Sequence, residues 1–335
     1  ALMLSLSVKH PDAENFIDAK VETGKVTGAN VSIKIDDEFM HAVIDGKKYH
    51  QQFPIDSDKP MYEKDIDARA LWNKIVFNAW KSAEPGVLFW DTILRESVPD
   101  CYADLGFRTV STNPCGEIPL CPYDSCRLLA INLYSYVDKP FTKEASFNFD
   151  KFRRHVAAAM RMMDDIIDLE LEKVEAILEK ISKDPEDEDI RQVEVKLWEK
   201  IREKALQGRR TGLGITAEGD MLAALGLRYG TDEATDFAVE IQKTLAVEAY
   251  RTSVKMAQER GKFPIYDAGR EEGNPMIERI KEADPALYEE MVKHGRRNIA
   301  MLTIAPTGTT SLMSQTTSGI EPVFRPVYTR RRKVN

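Results

Sequence analysis

Two rhythms of apolar and polar positions run along the chain. Ala1–Val8 (ALMLSLSV) is a short apolar run with serines interleaved, the pattern of a buried strand. His10-Pro11-Asp12 marks a turn, and Ala13–Lys20 predicts a helix. Asn30–Ile35 alternates with period two and predicts a strand, after which Asp36 and Asp37 can cap a helix over Glu38–Val43. Lys47–Lys59 is polar and contains Pro, the composition of a loop. Over Asp65–Ala83, the positions Ile66, Ala70, Ile75, Phe77 and Trp80 give one apolar helical face. Glu84-Pro85-Gly86 stops that helix, and Val87–Trp90 predicts a short buried strand.

Further along, Arg108–Ile118 and Arg127–Asn132 flank a loop rich in Cys and Pro. Phe147–Leu171 predicts a helix with Met-rich faces. Residues 172–207 are dominated by charge, with Pro-Glu-Asp-Glu-Asp at 185–189, and predict an inserted pair of solvated helices around an exposed turn. Gly208–Gly214 (GRRTGLG) lacks the spacing of a nucleotide loop and reads as a helix–helix turn with two surface arginines. Ala217–Leu225, Asp232–Arg260 and Glu271–His294 predict helices, and Asn298–Ile304 predicts a strand entering a Thr/Gly loop. Strands alternating with helices favour an α/β fold with parallel strands. With no linker in sight, one domain over 1–335 carrying the 172–207 insertion is favoured over two domains.

Composition narrows the function classes. The 335 residues hold 47 Lys plus Arg against 55 Asp plus Glu, a net charge of −8. That balance argues against non-specific nucleic-acid binding, and the basic end Arg330–Lys333 is too short to reverse it. The apolar runs fall short of a membrane span, and the first 20 residues lack the order of a secretion signal. Four Cys are too few for a secreted disulfide scaffold. A cytoplasmic protein with no membrane and no nucleic-acid partner is the expectation.

The densest chemistry lies in Ser111–Leu133, STNPCGEIPLCPYDSCRLLAINL. Three readings compete for its cysteines. A zinc site is disfavoured, because Cys115, Cys121 and Cys126 are spaced C-x5-C and C-x4-C with no His nearby. Plain burial as small hydrophobes suits Cys101 and Cys121. Redox or radical catalysis suits Cys115, since Asn113, Cys115 and Glu117 at i, i+2 and i+4 would share one face of an extended segment. A carboxylate there can act as general base and an amide can bond a developing charge.

A second stretch, Ala305–Ser311 (APTGTTS), follows the strand predicted over 298–304. Pro306 and Gly308 shape a turn, and Thr307, Thr309, Thr310 and Ser311 supply hydroxyls. With backbone N–H groups and a helix beginning near Ser311, the loop could cradle phosphate. The same residues would serve equally as a Ser/Thr helix cap.

Taken together, these stretches resemble the catalytic chain of ribonucleotide reductase. STNPCGEIPL is similar to the family's N-x-C-x-E finger-loop motif, YDSCRLLAINL to the strand that follows it, and APTGTTSLMSQTTSGIEPVF to the substrate-phosphate loop. HPDAENFIDAK, EPGVLFWDTI and GRRTGLGI add to the likeness, which spans nearly all of the chain outside 172–207. Pro-Cys-Gly-Glu with a later TSGIEP is most similar to the class II enzymes, which depend on adenosylcobalamin (vitamin B12 coenzyme).

The resemblance implies a ten-stranded α/β barrel with a radical Cys on a central finger loop. By motif, Cys115 is the thiyl-radical residue, Glu117 accepts the 3′-hydroxyl proton, Asn113 bonds the substrate and Cys126 is half of the redox pair. Ser111, Thr112, Pro114 and Gly116 would line the substrate on one side. Pro306, Thr307, Gly308, Thr309, Thr310 and Ser311 would hold its phosphates. A ribonucleoside di- or triphosphate substrate, nucleotide effectors, a thioredoxin-type reductant and a homodimer are the implied partners. Cys101 alone precedes the motif, so Cys126 lacks its upstream partner. A central fragment is therefore expected, with the missing barrel strands in the same gene or a complementing chain. The rivals are a class I catalytic chain, which would use a radical subunit, and a fragment that binds nucleotide without catalysis alone.

Overall fold

The computed structural model describes residues 2–21, 26–125, 127–325, 327, 329 and 331. Cys126, Ala1 and most of the basic end, Arg330, Arg332 and Lys333, lie outside the described residues. The chain divides into two compact units, 1–122 with 274–276 and 123–273 with 277–335.

In the first unit, β1 (Leu2–Ser7), β2 (Ala29–Ile35) and β5 (Gly86–Phe89) form a parallel sheet in the order β1-β2-β5. Between β1 and β2 comes α1 (Ala13–Ile17). Asp36 accepts from the Phe39 amide at 2.7 Å and opens α2 (Asp37–Asp45), the cap expected from its position. The polar 47–59 segment is a loop only over 54–59; its first half forms β3 (Lys48–Phe53), which pairs antiparallel with β4 (Tyr62–Asp67). Tyr49 and Gln51 point inward while His50 points out, an alternation that its polar composition masked. Asp67 then caps α3 (Ala68–Ser82), so Asp65–Asp67 end a strand instead of starting a helix. Val8, Ile17, Ile33, Ile35, Phe39, Tyr49, Leu71 and Ile75 make the core between sheet and helices. Each such side chain contributes roughly 1.5–3 kcal/mol when fully buried. After β5 come α4 (Trp90–Glu96) and the two-residue strands β6 (Ser111–Thr112) and β7 (Pro119–Leu120).

The second unit is built on β8 (Leu129–Asn132). The short pair β9 (Val137–Asp138) and β10 (Ser146–Phe147) leads into α5 (Phe149–Ser182), and α6 (Glu188–Gly208) follows. The helix expected to end at Leu171 runs on unbroken to Ser182, because Val174 and Ile181 continue its buried side. The 172–207 segment is therefore the last third of α5 joined to α6 by a turn. β11 (Leu213–Thr216) pairs parallel with β8, and an extended run bridges Leu213 to Leu302 on its other side. Of the strand expected over 298–304, Leu302 alone makes a ladder bridge. α7 (Glu218–Ala224) and α8 (Asp232–Arg260) follow β11, and α5 packs along α8. The single helix expected over 271–294 is two, α9 (Pro275–Ala283) and α10 (Pro285–His294). Asp284 caps the second through the Leu287 amide, and Pro285 cannot donate into the first. α11 (Gly308–Ser314) is the last helix among the described residues.

The α/β class and its parallel strands agree with the sequence pattern. A closed barrel is not seen among the described residues. Among the described residues, no helix is long and apolar enough to cross a membrane.

Candidate active site

Asn113, Cys115 and Glu117 do come together, but by a different geometry from the one their spacing suggested. The segment is not an extended strand. β6 and β7 pair antiparallel, with Ser111 opposite Leu120 and Thr112 opposite Pro119, so 113–118 is a hairpin tip. The Gly116 amide donates to Asn113 O at 3.0 Å, closing a β-turn with Pro114 and Cys115 at its centre. Pro114 presets the turn and Gly116 takes the left-handed position at φ +86. These two residues therefore reverse the run that the i, i+2, i+4 spacing predicts to be extended.

The hairpin tip folds Glu117 back onto Asn113, whose Nδ2 donates to Glu117 Oε2 at 2.6 Å. Asn113 Oδ1 accepts from the Ile118 amide at 3.0 Å, so the buried amide group is oriented from both ends. Cys115 is exposed at the turn. Partial burial of the sulfur, with the Glu117 charge nearby, pushes its thiol pKa above the ordinary value and keeps the S–H proton in place.

Three residues anchor this hairpin to the sheet, and the sequence reading named none of them. Asn30 Nδ2 donates to Pro114 O at 3.0 Å, and Lys34 Nζ donates to Val110 O at 2.5 Å. Ser5 Oγ pairs with Ser111 Oγ at 3.1 Å. A signal existed: Asn30, Ser32 and Lys34 put polar groups on one face of a strand in a parallel sheet, where both faces are usually apolar. Burial lowers the Lys34 pKa, and its ammonium sits 4.1 Å from the Trp90 ring centroid. Ser111 and Thr112 serve the hairpin itself, since Thr112 Oγ1 donates to Asn113 O at 3.0 Å.

Cys121 is buried, as expected of a packing residue, and Cys101 is half-buried.

The Thr/Gly loop belongs to the second unit. Its helix starts at Gly308, three residues before the expected position. Thr307 stands at the N-cap with φ +48, yet its hydroxyl does not cap its own helix. It accepts from the Gly319 amide at 2.8 Å and pairs with Thr216 Oγ1 at 2.9 Å. The Ser311 amide makes the first helical bond, to Thr307 O, so the amides of Gly308, Thr309 and Thr310 precede any helical acceptor. Pro306, Gly308, Thr309 and Thr310 are exposed. Ser311 is buried and donates its hydroxyl to Gly308 O, which turns it inward as a loop-shaping group.

Arg209 and Arg210 are not surface residues. Both are buried, because carboxylates wait for them: Arg209 Nε lies 2.8 Å from Asp164 Oδ1, and Arg210 Nε lies 2.7 Å from Asp124 Oδ2. The glycines beside them admit close backbone approach, since a Cβ on Gly214 would stand 2.0 Å from Thr303 O.

The profile of the family described as "Ribonucleotide reductase, barrel domain" matches residues 1–335. The chain belongs to the ribonucleotide reductase barrel-domain family. It is 32% identical over 326 residues to a vitamin B12-dependent ribonucleoside-diphosphate reductase of Thermoplasma acidophilum, covering 97% of this chain and 36% of that protein. A protein of the same name from Mycobacterium tuberculosis is 31% identical over 332 residues, covering 98% of this chain and 40% of the relative. Among solved structures, the Actinobacillus ureae class Id ribonucleotide reductase alpha subunit matches with a TM-score of 0.64 at 18% identity, over 96% of this chain and 48% of that one. That likeness is one of fold. The chain thus spans 36–40% of the length of these two curated relatives.

Proposed function

We propose that this chain is the part of a cobalamin-dependent ribonucleotide reductase that carries its radical thiol and substrate loops. The observation that carries the reading is the hairpin tip. It presents an exposed, protonated Cys115 beside a carboxylate, Glu117, that Asn113 holds at 2.6 Å. The parallel strands of both units would be part of the family's ten-stranded barrel. A ribonucleoside diphosphate is the proposed substrate, supported by the names of two relatives. Nucleotide effectors, a thioredoxin-type reductant, a second copy of the chain and further barrel strands enter the same proposal.

The residues fit adenosylcobalamin in one respect that geometry can test. Its chemistry needs a hydrogen-bearing thiol within reach, and Cys115 is exposed and held as S–H. When bound, the cofactor supplies the initiating radical, while the protein positions the reacting groups. Cys115, as a thiyl, would then take the 3′ hydrogen of the ribose and return it at the end of the cycle. Glu117 would accept the 3′-hydroxyl proton. An amide nitrogen has two N–H donors, so Asn113 retains one for substrate after bonding Glu117. Cys126 would supply one of the two thiols that reduce the ribose as the 2′-hydroxyl leaves as water. The loop Pro306–Thr310 would hold the phosphates with its hydroxyls and unbonded first-turn amides.

The test is deoxynucleotide formation by the full-length protein, with dithiothreitol as reductant and CDP or CTP as substrate. Turnover that requires adenosylcobalamin and vanishes in Cys115→Ala supports the reading. Turnover only with an added diiron radical subunit would overturn the cobalamin assignment, and near-normal activity of Cys115→Ala would remove that residue from the radical role.

A further inference from the structure

The loop Pro306–Thr310 does not hold its shape by its own bonds alone. A second segment, Thr316–Pro322, lies against it, and the corner where β11 turns into α7 grips that segment. The Ser318 hydroxyl donates to Pro306 O, and the Gly319 amide donates to Thr307 Oγ1 at 2.8 Å. Both bonds land on the loop's first two residues. On its other side the segment is tied to the corner. Thr317 O accepts from Thr216 Oγ1 at 3.2 Å and from the Ala217 amide at 3.2 Å, and Gly319 O accepts from the Glu218 amide at 3.3 Å.

One side chain closes this arrangement. Asp220 Oδ2 accepts from the Thr317 amide at 2.6 Å, and Thr317 Oγ1 accepts from the Asp220 amide at 3.3 Å. The pair is reciprocal, so each residue satisfies the other's backbone donor, and the bond to the charged carboxylate is of the stronger kind. Space enforces the same fit: a Cβ on Gly219 would stand 2.8 Å from Glu321 O and 3.0 Å from Pro322 Cα.

We propose that Asp220 is a positioning residue for the substrate's phosphates, acting through Thr317 and the Thr316–Pro322 segment on the loop Pro306–Thr310. The phosphate part of this statement rests on the function proposed above. Asp220 touches no loop residue in these bonds. It fixes the segment that does, and so sets where Thr307 and the amides after it stand. A residue of this kind governs binding of the remote, non-reacting part of a substrate.

Two measurements on the full-length protein separate the clamp from the function. Asp220→Ala should speed amide exchange over 305–320, read by mass spectrometry, and leave α8 unchanged. It should raise KM for CDP about tenfold with kcat within about threefold. Asp220→Asn keeps an oxygen acceptor for the Thr317 amide and should restore most of both. Loop exchange equal to wild type in Asp220→Ala overturns the clamp. Faster exchange with an unchanged KM keeps the clamp and removes phosphate binding from the loop. If Asp220→Ala does not fold, Asp220→Leu, which fills the space without an acceptor, is compared with Asp220→Asn, and identical loop exchange in those two overturns the proposal.

Discussion

Asn113 Nδ2 donates to Glu117 Oε2 at 2.6 Å across a turn whose exposed centre is Cys115. This single bond ties the orientation of the carboxylate to that of the amide. It also leaves a negative group close enough to the sulfur to raise its pKa, after the larger effect of burial. The thiol is kept in the form that can lose a hydrogen atom, and is disfavoured as the thiolate that ordinary nucleophilic cysteines use.

Removing the charge should therefore make Cys115 more reactive toward alkylation, even as catalysis is lost. In Glu117→Gln the thiol pKa should fall toward the ordinary thiol value, with the effect of burial remaining. Iodoacetamide labelling of Cys115 at pH 8, followed peptide by peptide so that the other cysteines do not interfere, should quicken relative to wild type. Turnover should drop about a hundredfold or more, the usual loss for a positioned base. Slower labelling in the variant would contradict the placement of the carboxylate near the sulfur.

Two glycines separate backbone strain from lack of space. Gly116 has φ +86, but an added Cβ would find its nearest neighbour, Leu88 Cδ2, at an ordinary 3.9 Å. Gly116→Ala should cost about 1 kcal/mol, all of it conformational. In Gly214→Ala the new methyl would collide with Thr303 O. The backbone beside β11 must move, and a loss of about 3 kcal/mol is expected. Urea midpoints of the two variants against wild type check the order.

How much of this was legible depends on which physical signal each element carries. β2, α2 and its Asp36 cap, and α8 were readable because each carries its own periodicity or capping residue. β3 and β4 were not, since Lys48, His50 and Gln52 face outward and hide the inward Tyr49 and Gln51. β11 escaped because its glycines read as a turn, whereas they admit the Thr303 backbone. At the site, residue types were legible and geometry was not. Pro114 and Gly116 announce a turn, but only the pairing of β6 with β7 shows that the turn carries Cys115. The partners of Arg209 and Arg210 lie 45 and 86 residues away, beyond any local pattern.

The hairpin's anchors give a prediction about catalysis with little change in stability. Asn30 is exposed and contributes one bond, to Pro114 O at 3.0 Å. Its loss should cost no more than about 1 kcal/mol, the net worth of a typical hydrogen bond. The same bond holds the turn from which Cys115 projects. A displacement on the order of 1 Å at reacting atoms can cost about a hundredfold in rate. Asn30→Ala should keep a thermal midpoint close to wild type and lose turnover disproportionately. Equal, small losses in both would show that the turn holds its position without this anchor.

Asp164 predicts a pH dependence of stability. It is fully buried, and burial alone would oppose its ionisation. Arg209 at 2.8 Å and Arg297 at 3.2 Å outweigh that effect, with Asn298 Nδ2 at 3.1 Å and Arg260 at 3.5 Å also facing it. Its pKa is held below the ordinary aspartate value of 3.8. The carboxylate's contribution is therefore fully present above pH 3.8 and disappears as pH falls through the lower, folded value. Asp164→Ala should cost about 3–5 kcal/mol at pH 7, because it leaves buried Arg209 with Asp168 as its remaining carboxylate. Asp164→Asn should cost less, since the amide oxygen still accepts from a guanidinium. Denaturant midpoints of wild type and Asp164→Asn, measured from pH 7 down to pH 3, should stay apart by a constant margin and then converge below pH 3.8. A margin that widens as pH falls would show that burial, not the arginines, sets the ionisation of Asp164.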